Sequence, residues 1–303
     1  MKYLLLTISC LIASIPAYAE ESSKQTAINL LMKKSGIERQ LSQIPQQLMQ
    51  SIQQKASQSI AQKGPNLVFA ALAESVKHAY QLDNIKQEIN ATLHDNLTNA
   101  DVIEILGWFA SDAGKLITEH EVQISESTAT PNGLADMQAF MERLKMVEPE
   151  EHRLMMIKNL NNAIHAADFM VDTTLNTTSA FMKAMQKTLP KDAQKQMGDA
   201  NMDKQFEEQR KSLLPVFTTV AENSLLYTYK DITDENLSAY IKFCQSPVGK
   251  KFYQMSFFSL KKALNKANTE MANYFASKIQ LDTPPPAVPY SVPSGFARPP
   301  MTN

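Results

Sequence analysis

Glycine and cysteine are scarce in this sequence, and no segment has the pattern of a β-strand. The 303 residues include eight glycines and two cysteines, and no run alternates apolar and polar residues between turn signals. Cys10 lies in an N-terminal segment that we expect to be removed, which leaves Cys244 without an intramolecular disulfide partner. These absences favour an all-α protein whose core forms without covalent crosslinks.

Long apolar runs and an excess of one charge are also missing. The longest apolar run covers residues 3–15, which is shorter than the roughly 18 residues that cross a bilayer. Lysine and arginine number 30 and aspartate and glutamate 31, for a net charge of −1, so the basic excess of a nucleic-acid-binding protein is absent. The sequence therefore predicts no transmembrane span and no nucleic-acid partner.

The N-terminus has the pattern of a secretory signal peptide. Lys2 precedes the apolar run, and Ala17-Tyr18-Ala19 forms a small-x-small cleavage site. Removal of residues 1–19 takes away one lysine and no acid, so the net charge becomes −2. We expect a mature chain that starts at Glu20 and is periplasmic, with extracellular release as an alternative, because the residues around Cys10 make a poor lipoprotein box.

The strongest pattern is a phrase that occurs twice, because residues 97–115 and 232–250 align without a gap. Each copy begins with a hydroxyl residue after an apolar one, which predicts a helix N-cap inside a hydrophobic staple. A second hydroxyl, followed by Asp112 or by proline, predicts the start of another helix. The matched pairs are Thr98 and Thr233, Trp108 and Phe243, Ser111 and Ser246, Gly114 and Gly249, and Lys115 and Lys250, with Pro247 after the second serine.

This S-x-x-G-K phrase predicts a helix–corner–helix motif with a structural role. Glycine one turn into a helix costs about 1 kcal/mol of helix propensity, so we expect Gly114 and Gly249 to admit the close approach of a neighbouring helix. Trp108 or Phe243 should pack across the corner. Cys244 falls on the apolar face of the repeated helix and should be an inert core thiol.

The second copy carries a family resemblance. Phe243, Ser246, Pro247, Gly249 and Lys250, after a capped helical run, resemble the signature of the bacterial domain-of-unknown-function family 2059. The resemblance covers roughly residues 205–265 and, more weakly, residues 70–125, which suggests two tandem copies. It implies an exported, largely helical protein without an assigned activity.

Helix breaks predict an all-α protein of about ten helices in two similar halves. A helix from residue 37 to about residue 62 and a weakly helical, β-branched stretch at residues 171–178 are expected within them. Whether the halves form one domain or two stays open. The predicted segments are a signal peptide at 1–19, a first helical repeat at 20–125, a linker with a short helix at 126–149, a second helical repeat at 150–281, and a disordered proline-rich tail at 282–303.

No catalytic, cofactor-binding or metal-binding set stands out in the sequence. The five histidines are scattered, and His120 between Glu119 and Glu121 has neighbours that point to different sides of a helix. Ser246 is explained by capping and has no nucleophile-elbow context. Methionine is abundant, with clusters at Met137, Met141, Met146, Met155, Met156, Met170, Met182 and Met185.

Two classes of function stay open, and the oligomeric state is undetermined. The first is a non-enzymatic periplasmic binding or envelope-assembly factor, in which a methionine-lined apolar groove at the seam of the halves accepts an apolar peptide or an acyl chain. The second is a hydrolase-like envelope enzyme whose site is assembled from dispersed residues. Converging titratable groups in a pocket would favour the second class.

Overall fold

The computed structural model describes residues 14–46, 48–50, 53, 66–188 and 199–278. These residues contain helices and turns and no β-strand, so the all-α prediction is confirmed. Twelve helices are described, against about ten expected. They are α1 Ser14–Lys34, α2 Ile37–Leu41, α3 Asn66–Ala79, α4 Leu82–Asn96, α5 Asn99–Ala110, α6 Asp112–Thr128, α7 Pro131–Leu144, α8 Glu151–Ile164, α9 Ala166–Thr188, α10 Asp199–Thr228, α11 Asp234–Gln245 and α12 Pro247–Lys278.

The other predicted segments are covered only in part. Residues 1–13 of the expected signal peptide and all of the expected tail lie outside the described residues, and α1 continues through the predicted cleavage site. Most of the segment from residue 47 to residue 65 also lies outside them. None of the helices in the described part of the chain combines the length and apolar content that a membrane crossing requires.

Helix α12 lies at the centre of the fold. It is 32 residues long and packs against α3, α4 and α5 from the first predicted half and α8, α9 and α11 from the second. Its buried residues recur every three or four positions, as at Ala263, Ala267 and Met271. One apolar cluster of buried side chains therefore extends from Ile28 to Met271.

Both S-x-x-G-K phrases form corners between consecutive helices. Ser111 Oγ accepts a hydrogen bond from the Gly114 N–H at 3.0 Å and donates to the Trp108 carbonyl at 2.6 Å. Ser246 Oγ makes the same two contacts, with the Gly249 N–H at 3.0 Å and the Phe243 carbonyl at 2.7 Å. Thr98 and Thr233 cap the helices that lead into the corners. That the whole of each half is a duplicated unit stays a prediction.

The corner glycines allow a close approach of helix backbone. A Cβ atom at Gly114 would lie 2.0 Å from the Trp108 carbonyl oxygen, and one at Gly249 would lie 1.9 Å from the Phe243 carbonyl oxygen. These are the carbonyls that the corner serines bind. The neighbouring helix that comes close is the one that precedes each corner, α5 for Gly114 and α11 for Gly249.

The two corners pack on each other. The rings of Trp108 and Phe243, which occupy matched positions in the repeated phrase, stack with centroids 4.7 Å apart and planes 8° from parallel. Lys251 adds an ion pair to Asp101 with 2.5 Å between Nζ and Oδ2. Lys115 and Lys250 are exposed and face solvent. The contact between corners fixes α5 and α6 relative to α11 and α12.

The expectation of a weakly helical stretch at residues 171–178 is wrong. This β-branched stretch belongs to the uninterrupted helix α9, where Val171 and Leu175 are buried against Leu213. Burial of these side chains outweighs their weaker helix propensity. In the predicted linker, α6 continues to Thr128, and two residues separate it from α7, whose N-cap is Thr130.

Candidate functional site

A cavity of about 500 Å³ lies at the seam of the two predicted halves. Helix α6 and the α1–α2 turn contribute from the first half, and α10, α11 and α12 contribute from the second. Most lining side chains are aliphatic or aromatic, as in ligand pockets generally. The apolar part of the lining includes Leu41, Ile89, Phe109, Ile124, Ile164, Phe252, Phe257 and Leu260.

One carboxyl group, that of Glu121, lines this cavity. Glu121 follows Ile117 by one helical turn, so it lies on the buried face of α6. The Tyr229 hydroxyl donates a hydrogen bond to Glu121 Oε1 across 108 residues of sequence. The Tyr240 hydroxyl also lies near the carboxyl group and is 2.5 Å from the Tyr253 hydroxyl. Helices α6, α11 and α12 and the turn after α10 thus bring a carboxyl group and three phenols together.

The protonation of these groups follows from their burial. Burial raises the pKa of the Glu121 carboxyl above its ordinary value of 4.5, while hydrogen bonds from Tyr229 and Tyr240 oppose the shift. Burial and the nearby Glu121 carboxyl raise the pKa of both Tyr229 and Tyr240 well above 10.0. Burial and the neighbouring Cys244 do the same to the pKa of Tyr253. The three tyrosines therefore remain neutral donors.

The thiol of Cys244 lies beside this cluster and is buried. Burial, followed by the effect of the Glu121 carboxyl, raises the pKa of the thiol above 9.0. A nucleophilic cysteine needs the opposite shift, because the thiolate is the reactive form. The burial of Cys244 matches the interpretation of an inert core thiol.

Ser256 is one of the polar residues of the lining. Its Oγ is buried and has no hydrogen-bonding partner among the described residues. Buried polar atoms are usually paired, but this atom has almost no accessible surface through which to bind a molecule in the cavity. Other polar side chains of the lining include Gln40, Ser125 and Thr228.

The motif residues predicted from sequence support the cavity without lining it. Trp108 and Phe243 pack against Tyr240 and Phe109, which do line it. Thr98, Ser111, Gly114, Thr233, Ser246, Pro247 and Gly249 shape the corners. Met137 is the single methionine in the described lining, so the expectation of a methionine-lined seam is wrong and aromatic rings fill that role. Met156 is buried in the core, whereas Met146 and Met155 are exposed.

Glu121 is the residue that sequence reasoning missed. The two residues before it make other contacts. Glu119 pairs with Arg39 at 3.0 Å, and His120 Nε2 contacts the Thr228 carbonyl at 2.6 Å. The sequence did contain a signal for this residue. Glu121 lies one turn after Ile117, which places a carboxylate on the apolar face of an amphipathic helix. Among the described residues, no group of three histidine, cysteine, aspartate or glutamate side chains could hold a metal ion.

The fold and the cavity together define an all-helical protein with an internal, mainly apolar pocket and one anchored carboxyl group. In comparisons with known proteins, no protein-family model, no curated protein and no solved structure matches the chain. The resemblance to domain-of-unknown-function family 2059 therefore stays a prediction, and the functional argument rests on the geometry of the cavity.

Proposed function

We propose that this protein is a non-enzymatic binding protein of the periplasm that holds an apolar chain in the seam cavity. The cavity of about 500 Å³ falls within the range of roughly 300–1,000 Å³ that is common for small-molecule pockets. A folded peptide partner needs far more contact surface, about 800 Å² on each side of an interface. The size of the cavity therefore favours an acyl-type chain over an apolar peptide.

Burial of methylene groups should dominate the affinity. Each buried methylene contributes about 0.8 kcal/mol, which corresponds to roughly a fourfold change in the dissociation constant. In a homologous series of aliphatic alcohols, affinity should rise by up to that factor per carbon until the cavity is filled. Removal of apolar surface from water should also give a negative heat-capacity change.

Calorimetric titration with the alcohol series tests the proposal. Ile124→Trp places a large ring in the lining and should abolish binding. Leu116→Trp is the matched control on the same helix, because Leu116 is exposed and faces away from the core. If no alcohol binds below millimolar concentration, or if both variants bind like the parent, the cavity is not a binding site for apolar chains.

The proposed periplasmic localisation depends on the predicted signal peptide. Cleavage after Ala19 would release a chain that starts at Glu20. The intact mass of the protein recovered from the periplasm should correspond to that chain. A mass that retains residues 1–19, or that includes a lipid on Cys10, would contradict the proposed processing.

A hydrolase-like enzyme is the second candidate, and the convergence of Glu121 with Tyr229 and Tyr240 favours it. A carboxyl group with a raised pKa can act as a general acid. The described lining contains no histidine that could activate Ser256, and the pKa of the Cys244 thiol is raised. Binding is therefore the better-supported function. Ester turnover that survives repurification and disappears in Glu121→Gln would reverse this preference.

A further inference from the structure

The charge of the cavity points to the chemistry of its ligand. Glu121 contributes the one carboxyl group of the described lining, and no lysine, arginine or histidine is found in that lining. The remaining ionisable groups near it are the neutral phenols of Tyr229, Tyr240 and Tyr253 and the neutral thiol of Cys244. An ionised Glu121 therefore has no cationic partner in the cavity lining that the described residues form.

A carboxylate in such surroundings either takes up a proton or pairs with a cation. Burial of an unpaired ionised carboxylate is strongly unfavourable, and hydrogen bonds from phenols compensate only part of that cost. A cationic ligand would supply the missing charge. A ligand with its own carboxylate would instead place two like charges in one site, where both cannot readily remain ionised.

The aromatic rings of the cavity lining also suit a cationic ligand. Tyr227, Tyr229, Tyr240, Tyr253 and Phe252 all line the cavity. Organic ammonium ions are attracted to aromatic faces, and the attraction strengthens where water is excluded. The aliphatic side of the lining, which includes Ile124, would accommodate the apolar substituent.

Resting on the proposed function, we infer that the ligand is an amphiphilic organic cation, with an ammonium head beside Glu121 and the tyrosines and an apolar chain in the rest of the cavity. Within the class of acyl-type chains, this selects amines and quaternary ammonium compounds over fatty acids.

The test compares probes that share one chain length and differ in head-group charge. Decyltrimethylammonium, decylammonium, decanol and decanoate are titrated into the mature protein at mildly alkaline pH, and binding is measured by calorimetry. Both cations should bind at least about tenfold more tightly than decanol, and decanoate should bind most weakly. The relative affinities of the two cations show which contacts hold the head group. Tighter binding of decyltrimethylammonium indicates contacts with the aromatic rings, and tighter binding of decylammonium indicates hydrogen bonds.

Glu121→Gln removes the charge with little change in shape and should reduce the preference for cations over decanol at least about tenfold. Glu119→Gln is the matched control, because it removes an exposed carboxylate of the same helix that lies outside the cavity lining. Cooperative denaturant unfolding shows whether the Glu121→Gln variant is folded. The ranking of the four probes on the unmodified protein is independent of any variant.

The outcomes separate the two proposals. If decanol or decanoate binds as tightly as the cations, the inference of a cationic ligand is wrong, whereas the binding of apolar chains stands. If Glu121→Gln and Glu119→Gln affect cation binding equally, the assignment of the head group to Glu121 is wrong. If no probe binds, the proposed function fails and the inference fails with it.

Discussion

At the scale of single residues, the structure separates glycines that the corners require from one that they do not. Gly114 has no room for a Cβ atom, whereas a Cβ atom at Gly107 would meet nothing within 4 Å. Gly107 lies inside α5 and is exposed. The two positions are close in sequence, which makes them a matched pair.

We expect Gly107→Ala to stabilise the protein by up to about 1 kcal/mol, because alanine has the higher helix propensity. Gly114→Ala should instead destabilise it by roughly 1–3 kcal/mol, because the corner must move to accept the methyl group. Urea unfolding midpoints give both values. Equal effects at the two positions would show that the corner carbonyl does not restrict Gly114.

Glu121 should make stability depend on pH. Its folded-state pKa is raised above 4.5, so the folded protein holds the carboxyl proton more tightly than the unfolded chain does. The stability that this proton contributes is complete below pH 4.5 and is lost as the pH rises through the folded pKa. The neighbouring tyrosines and Cys244 have raised pKa values and stay neutral across that window.

Glu121→Gln should therefore become more stable relative to the parent as the pH rises above 4.5. Denaturant unfolding of both proteins at a series of pH values measures the difference in their free energies of unfolding. Other titrating groups contribute equally to both proteins, so their contributions cancel in this difference. Glu119→Gln should show no comparable trend, because that carboxylate is exposed. Parallel curves for the parent and Glu121→Gln would contradict the burial of the carboxyl group.

At the scale of helices, the contact between the two corners holds the α5–α6 pair against the α11–α12 pair. The stacked rings of Trp108 and Phe243 are the centre of that contact. A double-mutant cycle of Trp108→Ala and Phe243→Ala should give a coupling free energy of about 0.5–1.5 kcal/mol. Additive effects would show that the rings stabilise their own corners separately.

Arg153 fastens the start of α8 to the turn between α10 and α11. Its guanidinium donates to the Tyr229 carbonyl, to the Ile232 carbonyl at 2.9 Å and to the Asp234 carboxylate at 2.5 Å. Because Tyr229 contacts Glu121, this turn also positions the candidate site. The side chain of Arg153 is 16% exposed, so water cannot readily replace these bonds.

We expect Arg153→Met to reduce the free energy of unfolding by about 2 kcal/mol or more, because it leaves carbonyl groups without partners. Arg39→Met is the control, since Arg39 is half exposed and pairs with Glu119 and Glu126 on the surface. Surface pairs contribute about 0–1 kcal/mol. Similar losses for both variants in thermal unfolding would show that the Arg153 contacts are no stronger than surface pairs.

At the scale of the whole molecule, the described helices form one large core and a smaller apolar cluster around Val171 and Leu213. The proline-rich segment at 282–303 should contribute little to either. Deletion of residues 282–303 should leave the unfolding midpoint and decanol binding unchanged. A longer deletion from residue 273 is the control, because it removes the buried Phe275 and the hydrogen bond from Tyr274 to Glu74 at 2.8 Å. Loss of stability after the shorter deletion would contradict the prediction.

The sequence by itself determined the helical class and the two corners. The capping contacts of Thr98, Ser111 and Ser246 join atoms only three residues apart, so they follow from local order in the chain and could be predicted from residue types. The repeated phrase predicted where both corners begin. The prediction that Trp108 or Phe243 packs across its own corner did not include the stacking of the two rings on each other.

Only the tertiary structure decided the continuous helix α9 and the candidate site. Residues 171–178 are helical because distant side chains bury them, and local propensity does not contain that information. Glu121 and Tyr229 are brought together from positions 108 residues apart. Their meeting depends on how α6, α10 and α11 pack around α12, and no short-range pattern specifies packing between helices so far apart in the chain.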